Sequence, residues 1–76
     1  MPTLTVRRFA PSRLRGLRQA HGWSQSELAR RSGIVRPAIS SYEAGKREPS
    51  DRVLAVLAQA LDFDADDLRD QIKVTV

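Results

Sequence analysis

Apolar residues recur at intervals of three or four positions in five segments of the chain, which indicates helices with one buried side. The pattern is strongest in the fourth segment, where positions 53, 54, 57, 58 and 61 are all apolar. The other segments carry shorter stripes and span residues 12–21, 25–32, 36–44 and 65–71. The pattern therefore predicts a mainly helical chain with short connections.

Caps and glycines mark the limits of these helices. Ser24 and Glu27 have the S-x-x-E spacing of a capping box, in which two side chains satisfy two free backbone donors. Ser50 and Asp64 are suited to cap the last two helices. A glycine follows each of the first three helices, at Gly22, Gly33 and Gly45. We therefore predict an all-α, five-helix domain with tight turns.

Both ends of the chain carry a short alternating segment, at residues 3–6 and 73–76, which is the period of a β-strand. Strands this short are not stable alone. They would bury their apolar residues by pairing, either within one chain or across two chains. Both pairings are consistent with the sequence, and we favour a contribution of the strands to a dimer.

Length and composition limit the classes of protein to consider. A length of 76 residues predicts one domain, and the absence of cysteine excludes disulfides and thiolate metal sites. His21 is the only histidine, so no metal site is expected. No apolar run is long enough for a membrane span, and we expect a cytoplasmic, nucleoid-associated protein. No nucleophile stands at motif spacing from a base, so neither an enzyme nor a cofactor is expected.

Charge divides the chain into two unequal halves. Residues 1–47 contain ten Lys or Arg against two Glu, a net charge of +8, whereas residues 48–76 contain three against seven acids, a net charge of −4. The basic half should attract a polyanion. Its cations do not lie opposite bulky apolar residues on a long helix, as a membrane-surface helix requires. Nucleic acid is therefore the expected partner, and no membrane is.

Several motifs now fall in one register: L-R-x-L-R at 14–18, G-W-S-Q-S-E-L-A at 22–29, G-I at 33–34, I-S-S-Y-E-A-G-K-R-E-P-S at 39–50 and L-A-x-A-L at 57–61. The chain thereby resembles the helix-turn-helix family of the Cro and lambda-type repressors, which includes bacterial regulators and antitoxins. The resemblance covers about residues 12–70. It implies a compact five-helix domain with the helix-turn-helix at about 24–44, whose second helix enters the DNA major groove.

The resemblance implies two sets of DNA contacts. Phosphate contacts are expected from Ser24 and Gln25 at a helix N-terminus, where backbone N–H groups attract anions, and from the loop residues Lys46 and Arg47. Base contacts are expected from the second helix, at Arg36, Pro37, Ser40 and Ser41. Arg36 is suited to donate two hydrogen bonds to guanine, with a phosphate contact as the alternative.

Two residues depart from the family pattern at the start of this helix. Val35 stands where the family usually has a capping Ser or Thr, and Pro37 occupies an expected polar reading position. Proline is tolerated in a first helical turn and touches a thymine methyl without hydrogen bonding. The sequence therefore predicts few polar readers, with specificity resting on Arg36 and on DNA shape.

Other residues are interpreted as structural. Arg18 and Glu43 match positions where the family often has a buried ion pair. Trp23 is expected as a packing lid between the first two helices. Arg7 and Arg8 resemble a basic arm that either follows DNA or is solvated. Four other arginines are expected to add to the positive electrostatic field of the protein without contacting DNA: Arg13, Arg15, Arg30 and Arg31.

The leading hypothesis is a sequence-specific transcriptional regulator, with repression as the expected activity, that binds a palindromic operator as a homodimer. The candidate dimer residues are Leu4, Val6, Phe63, Leu68, Ile72, Val74 and Val76. The alternative is an antitoxin or protein-interaction module that binds a toxin or co-regulator and regulates its own promoter.

Overall fold

Four α-helices and a two-stranded antiparallel sheet make up the protein, in a computed structural model that describes residues 1–76. The helices are α1 (Pro11–Ala20), α2 (Gln25–Ser32), α3 (Arg36–Glu43) and α4 (Asp51–Leu61). One turn of 3-10 helix spans Ala65–Leu68. The strands are β1 (Thr3–Phe9) and β2 (Arg69–Thr75). None of the helices has the length and apolar character that a membrane crossing needs.

The prediction of a fifth α-helix at residues 65–71 is wrong. The helical turn ends at Leu68 and the chain continues directly into β2. Asp67 accepts a hydrogen bond from the backbone N–H of Asp64 at 2.9 Å, which stabilises only this single turn. Pairing with β1 satisfies the backbone from Arg69 onward, whereas a longer helix would leave β1 without a partner.

The core lies between the four helices and the 3-10 turn. Its fully buried large side chains come from all five elements: Leu14, Leu28, Ile39, Leu54, Leu57, Leu61 and Leu68. Half-buried residues pack around them, including Phe9 at the end of β1. Leu68 has no exposed surface, so its assignment to a dimer surface is wrong. The reason is that the 3-10 turn directs this side chain into the core.

The two strands form a ribbon within one chain, and this is one of the two pairings that the sequence left open. Each strand is seven residues long, longer than predicted. Leu4 pairs with Val74 and Val6 with Ile72. Because paired residues share a face, these four apolar residues lie on one face of the ribbon, which ends at its base with the Arg8–Asp70 pair, and the opposite face is mainly polar. The apolar face remains 38–55% exposed.

The start of α2 contains half of the predicted capping box. The Ser24 hydroxyl accepts a hydrogen bond from the Glu27 N–H at 3.0 Å. The Glu27 carboxylate does not bond back to Ser24 and is instead held by Arg30 at 2.6 Å and Arg31 at 2.8 Å. Charge-assisted hydrogen bonds are the stronger ones, and the bond from Arg30 is the main cause that lowers the pKa of Glu27 to about 2.

A left-handed residue closes α4. Asp62 has φ 62° and ψ 42°, and it is the only residue other than glycine with a positive φ. Glycine adopts this conformation without steric cost, whereas aspartate does not. In addition, the negative charge of a carboxylate at a helix C-terminus is repelled by the negative end of the helix dipole.

Replacing Asp62 with glycine should therefore stabilise the protein by about 0.5–1 kcal/mol, because backbone strain and charge repulsion are both relieved. The measurement is urea unfolding followed by circular dichroism. Gln59→Gly is the matched control: Gln59 is exposed within α4, and glycine there should destabilise by about 1 kcal/mol. A loss of stability in Asp62→Gly would contradict this account.

Candidate nucleic-acid interface

The two helices of the motif are joined at Gly33, which ends α2 in the left-handed conformation at φ 75°. The buried side of α3 is formed by Ala38, Ile39, Tyr42 and Glu43. The opposite side carries the four predicted base-reading residues at helical spacing, of which Arg36, Pro37 and Ser40 are exposed and Ser41 is half-buried. The packing of α3 therefore leaves the predicted reading side free.

The first turn of α3 has the two predicted departures. Val35 occupies the N-cap with φ −63° and ψ 142°, forms no side-chain cap and is 68% exposed. Pro37 is the second helical residue, where its missing N–H removes no helical hydrogen bond. Arg36 thus lies between two exposed apolar side chains, which gives this end of the helix an apolar surface around one cation.

A buried ion pair joins α1 to α3. Arg18 donates two hydrogen bonds to the Glu43 carboxylate, from Nε at 2.7 Å and from Nη2 at 2.8 Å. Its Nη1 donates to the carbonyl oxygen of Trp23 at 2.7 Å. The Glu43 side chain has no exposed surface and that of Arg18 is only 11% exposed. The structure therefore contains the predicted pair, in a bidentate geometry.

Glu43 is also bound by two residues that the sequence analysis did not connect with it. Arg15 lies 3.5 Å from the carboxylate, and the Gln25 Nε2 donates to it at 3.3 Å. Gln25 is the first residue of α2, so Glu43 connects three helices. Arg15 lies three residues before Arg18 and on the same side of α1, and this spacing indicates that both arginines are able to reach Glu43. Nothing in the spacing indicates that Gln25 reaches Glu43.

Opposing effects act on the Glu43 carboxyl. Burial raises its pKa by disfavouring the charged form, but hydrogen bonds from Arg18 and Gln25 outweigh that effect and hold the pKa below its ordinary value. The Arg18 pKa is raised, chiefly by the same hydrogen bonds to Glu43. No buried side-chain nitrogen or oxygen lacks a hydrogen-bond partner. The pair is therefore charged and fully bonded.

Trp23 packs against the core as a half-buried side chain, as predicted for a lid. Its ring stacks on His21 at a centroid distance of 4.2 Å, and the Arg31 guanidinium lies 4.3 Å from the ring centroid. The His21 Nε2 and the carbonyl oxygen of Leu61 are 2.7 Å apart. Trp23 is covered by these neighbours and has no free face for a base.

Ion pairing divides the cations into two groups. Seven of the thirteen lie within 4 Å of a carboxylate: Arg7, Arg13, Arg15, Arg18, Arg30, Arg31 and Arg69. Carboxylates therefore partly neutralise the positive charge of the four arginines that were expected to contribute only to the electrostatic field: Arg13, Arg15, Arg30 and Arg31. The six unpaired cations are Arg8, Arg36, Lys46, Arg47, Arg52 and Lys73.

The unpaired group includes three predicted DNA contacts, Arg36, Lys46 and Arg47. The Arg47 guanidinium lies 5.7 Å from the Tyr42 ring centroid, so the end of α3 supports this loop cation. At the other end of the motif, the Ser24 hydroxyl caps α2 and is exposed. The predicted phosphate contacts thus lie at the start of α2 and in the loop after α3.

A helix-turn-helix with an exposed polar side on its second helix and unpaired cations beside it defines a class of DNA-binding proteins. Residues 14–68 match the helix-turn-helix family. The chain therefore belongs to this family, that of the Cro and lambda-type repressors, whose members are DNA-binding transcription regulators.

The chain is similar to three characterised or named relatives. The restriction-modification controller protein C.AhdI from Aeromonas hydrophila is 41% identical, with a TM-score of 0.74 and coverage of 76% of this chain and 88% of that chain. SinR, a master regulator for biofilm formation solved in complex with DNA, is 30% identical, with a TM-score of 0.73 and coverage of 76% and 94%. The uncharacterised HTH-type transcriptional regulator y4dJ from Sinorhizobium fredii is 38% identical over 58 residues, 76% of this chain and 75% of the relative.

Other curated relatives are longer than this chain. The matched region spans 40% of the length of one of them and 48% of two others. The similarity therefore concerns the helix-turn-helix region.

Removing Arg18 should destabilise the protein strongly. Arg18→Met leaves the buried Glu43 charge uncompensated, and we expect a loss of about 3–5 kcal/mol at pH 7. In the wild type the lowered Glu43 pKa gives stability that is present above the unfolded pKa and lost as the pH falls. In the variant, burial without Arg18 raises the pKa, so acid relieves the charge. The deficit should shrink between pH 7 and pH 4.

Urea unfolding followed by Trp23 fluorescence at several pH values measures this deficit. Arg15→Met is the matched control, because Arg15 is 53% exposed and lies farther from Glu43. We expect that variant to lose less than about 1 kcal/mol. An Arg18→Met deficit that is constant or larger at pH 4 would show that the pair is not the cause.

Proposed function

We propose that this protein is a sequence-specific transcriptional repressor that binds a palindromic operator in double-stranded DNA as a homodimer. One observation carries the proposal: α3 buries one side and presents Arg36, Pro37 and Ser40 on the other, next to cations that have no carboxylate partner. Unpaired cations beside an exposed helix suit a partner that supplies the negative charge.

Base readout would depend on a small set of side chains. Arg36 at the first position of α3 is exposed and unpaired, so its guanidinium is free to donate two hydrogen bonds to guanine O6 and N7. Val35 and Pro37 beside it suit a thymine methyl group. Ser40 and Ser41 donate or accept equally and discriminate little. With so few polar readers, DNA shape would supply part of the specificity.

Backbone contacts would come from two places. The loop cations Lys46 and Arg47 lie shortly after the end of α3 at Glu43 and carry two unpaired charges. Ser24 and Gln25 stand at the N-terminus of α2, where the helix dipole favours a phosphate. Gln25 is held by Glu43 at 3.3 Å, which orients its side chain before DNA binds. SinR, which shares this fold, was solved in complex with DNA.

Dimerisation is proposed through the ribbon. Its apolar face consists of Leu4, Val6, Ile72 and Val74, and the adjacent Val76 is 54% exposed. An isolated two-stranded ribbon is marginally stable in water, and apolar side chains on one face favour a covering partner. A second copy supplies the same apolar face and places two α3 helices on one DNA. Phe63 is also exposed but lies off the ribbon, with its ring near His21.

Arg36→Ala should relax sequence specificity. If Arg36 contacts a guanine, its loss reduces discrimination at that base pair by about 1–3 kcal/mol. Titration of promoter DNA and of single-base variants, at several salt concentrations, measures this. Lys46→Ala is the comparison, since loss of a phosphate contact weakens all sequences alike and lowers the salt dependence.

Equal weakening of every sequence by Arg36→Ala would make Arg36 a phosphate contact. Equal affinity of the wild-type protein for all sequences would reject the sequence-specific proposal itself.

Val6→Lys should weaken the homodimer, because it places a charge in the centre of the apolar face. We expect at least about a tenfold rise in the dimer dissociation constant, corresponding to about 1.4 kcal/mol, measured by sedimentation equilibrium. Thr5→Lys adds the same charge one residue away on the opposite face and should leave the equilibrium nearly unchanged. Similar shifts in both variants, or a wild-type monomer at high concentration, would reject the ribbon dimer.

A second candidate function uses the same exposed face. A SinR/SinI protein complex has been solved for a protein that is 30% identical with a TM-score of 0.73, and a different protein could cover the ribbon here. Co-purification of a second polypeptide that Val6→Lys releases and Thr5→Lys retains would favour an antitoxin or co-regulated module.

A further inference from the structure

A basic cleft lies between the ribbon and the loop that follows α3. It encloses about 330 Å³, and its lining includes Arg8 from β1, Pro11 from α1, and Lys46 and Arg47 from the loop. Glu48 is the only acid in the lining, and it forms an ion pair with none of these cations. The fold thus brings Arg8 to the same cleft as Lys46 and Arg47, which lie almost forty positions later in the sequence.

The ion pairs around the ribbon explain why Arg8 is free. Asp70 lies directly opposite Arg8 in the ribbon, but its carboxylate is bound by Arg13 Nε at 2.6 Å. Arg7, the preceding residue, points to the other face and pairs with Asp66 at 3.1 Å. Adjacent arginines therefore differ in role: Arg7 is neutralised within the protein, whereas Arg8 remains available to a ligand.

We propose that this cleft binds one phosphodiester group of the DNA backbone, with Arg8 as a ligand together with Lys46 and Arg47. Three cationic side chains that line one cleft and have no ion-pair partner suit an anion with several oxygens, and a guanidinium binds phosphate in a bidentate manner. This inference rests on the proposed function. It adds the base of the ribbon to the DNA-binding surface, beyond the helix-turn-helix.

The test is a measurement of DNA affinity against salt concentration for Arg8→Gln. Loss of one of the three cations around the phosphate should reduce the slope of log K against log salt by up to about 0.9 for each half-site, and lower affinity about tenfold at moderate salt. The loss should be the same for promoter and random DNA. Arg8 is exposed, and an unchanged melting temperature of the variant checks that the fold is retained.

Two control variants remove one positive charge from the opposite face of the same ribbon. Arg7→Gln changes the neighbouring arginine, which is paired with Asp66. Lys73→Gln removes an unpaired charge without breaking an ion pair. Both should leave the salt slope within error of the wild type. Equal slopes in Arg8→Gln and in the two controls would reduce Arg8 to a contributor of general charge and overturn the inference.

A double variant tests whether the cations share one phosphate. In Arg8→Gln/Arg47→Gln the loss of affinity should differ from the product of the two single losses, because ligands of one phosphate are energetically coupled. Independent losses would assign them to separate phosphates and overturn the single cleft. If Arg47→Gln lowers the slope and Arg8→Gln does not, phosphate binding in the cleft is rejected, whereas the proposed DNA binding by the helix-turn-helix is retained. A wild-type protein without salt-dependent DNA binding would instead reject the proposed function.

Discussion

The buried bond between Arg18 and Glu43 is the interaction on which the arrangement of the motif depends. Glu43 ends α3, and its carboxylate is held from α1 by Arg18 and from α2 by Gln25. A carboxylate without exposed surface needs these donors, because an unpaired buried charge is very unfavourable. These bonds act together with the burial of Ala38, Ile39 and Tyr42 in the core, which lie on the same side of α3 as Glu43. The side that carries Arg36 and Ser40 therefore faces outward.

Charge in the folded protein is organised by ion pairing more than by the division of the sequence into a basic and an acidic half. Asp66 and Asp70 of the acidic half neutralise Arg7 and Arg13 of the basic half. Four of the six unpaired cations lie at the start of α3, in the loop after it and at the base of the ribbon: Arg36, Lys46, Arg47 and Arg8. A polyanion would meet these positions first, since paired charges contribute little to attraction at a distance.

The helices of the motif could be predicted from sequence because their signals are local. Ser24, Gly33 and Gly45 act on residues within one turn, and the apolar spacing of α3 and α4 needs no distant partner. The Arg18–Glu43 pair was also predicted, from the resemblance to the family. In contrast, the fifth helix was predicted wrongly. Residues 65–71 begin with acids suited to a helix, but the backbone from Arg69 finds a better partner in β1.

The sequence by itself determined the helical motif, its caps and its family, because each depends on residues close together in the chain. Only the tertiary structure decided three other matters: that Leu68 is buried, that the termini pair as an amphipathic ribbon, and that Arg7 is paired while Arg8 is free. The reason is that strand register and ion pairs are set by distances between residues far apart in sequence. Arg7 and Arg8 are the same type of residue, but successive side chains along a strand point to opposite faces of the ribbon.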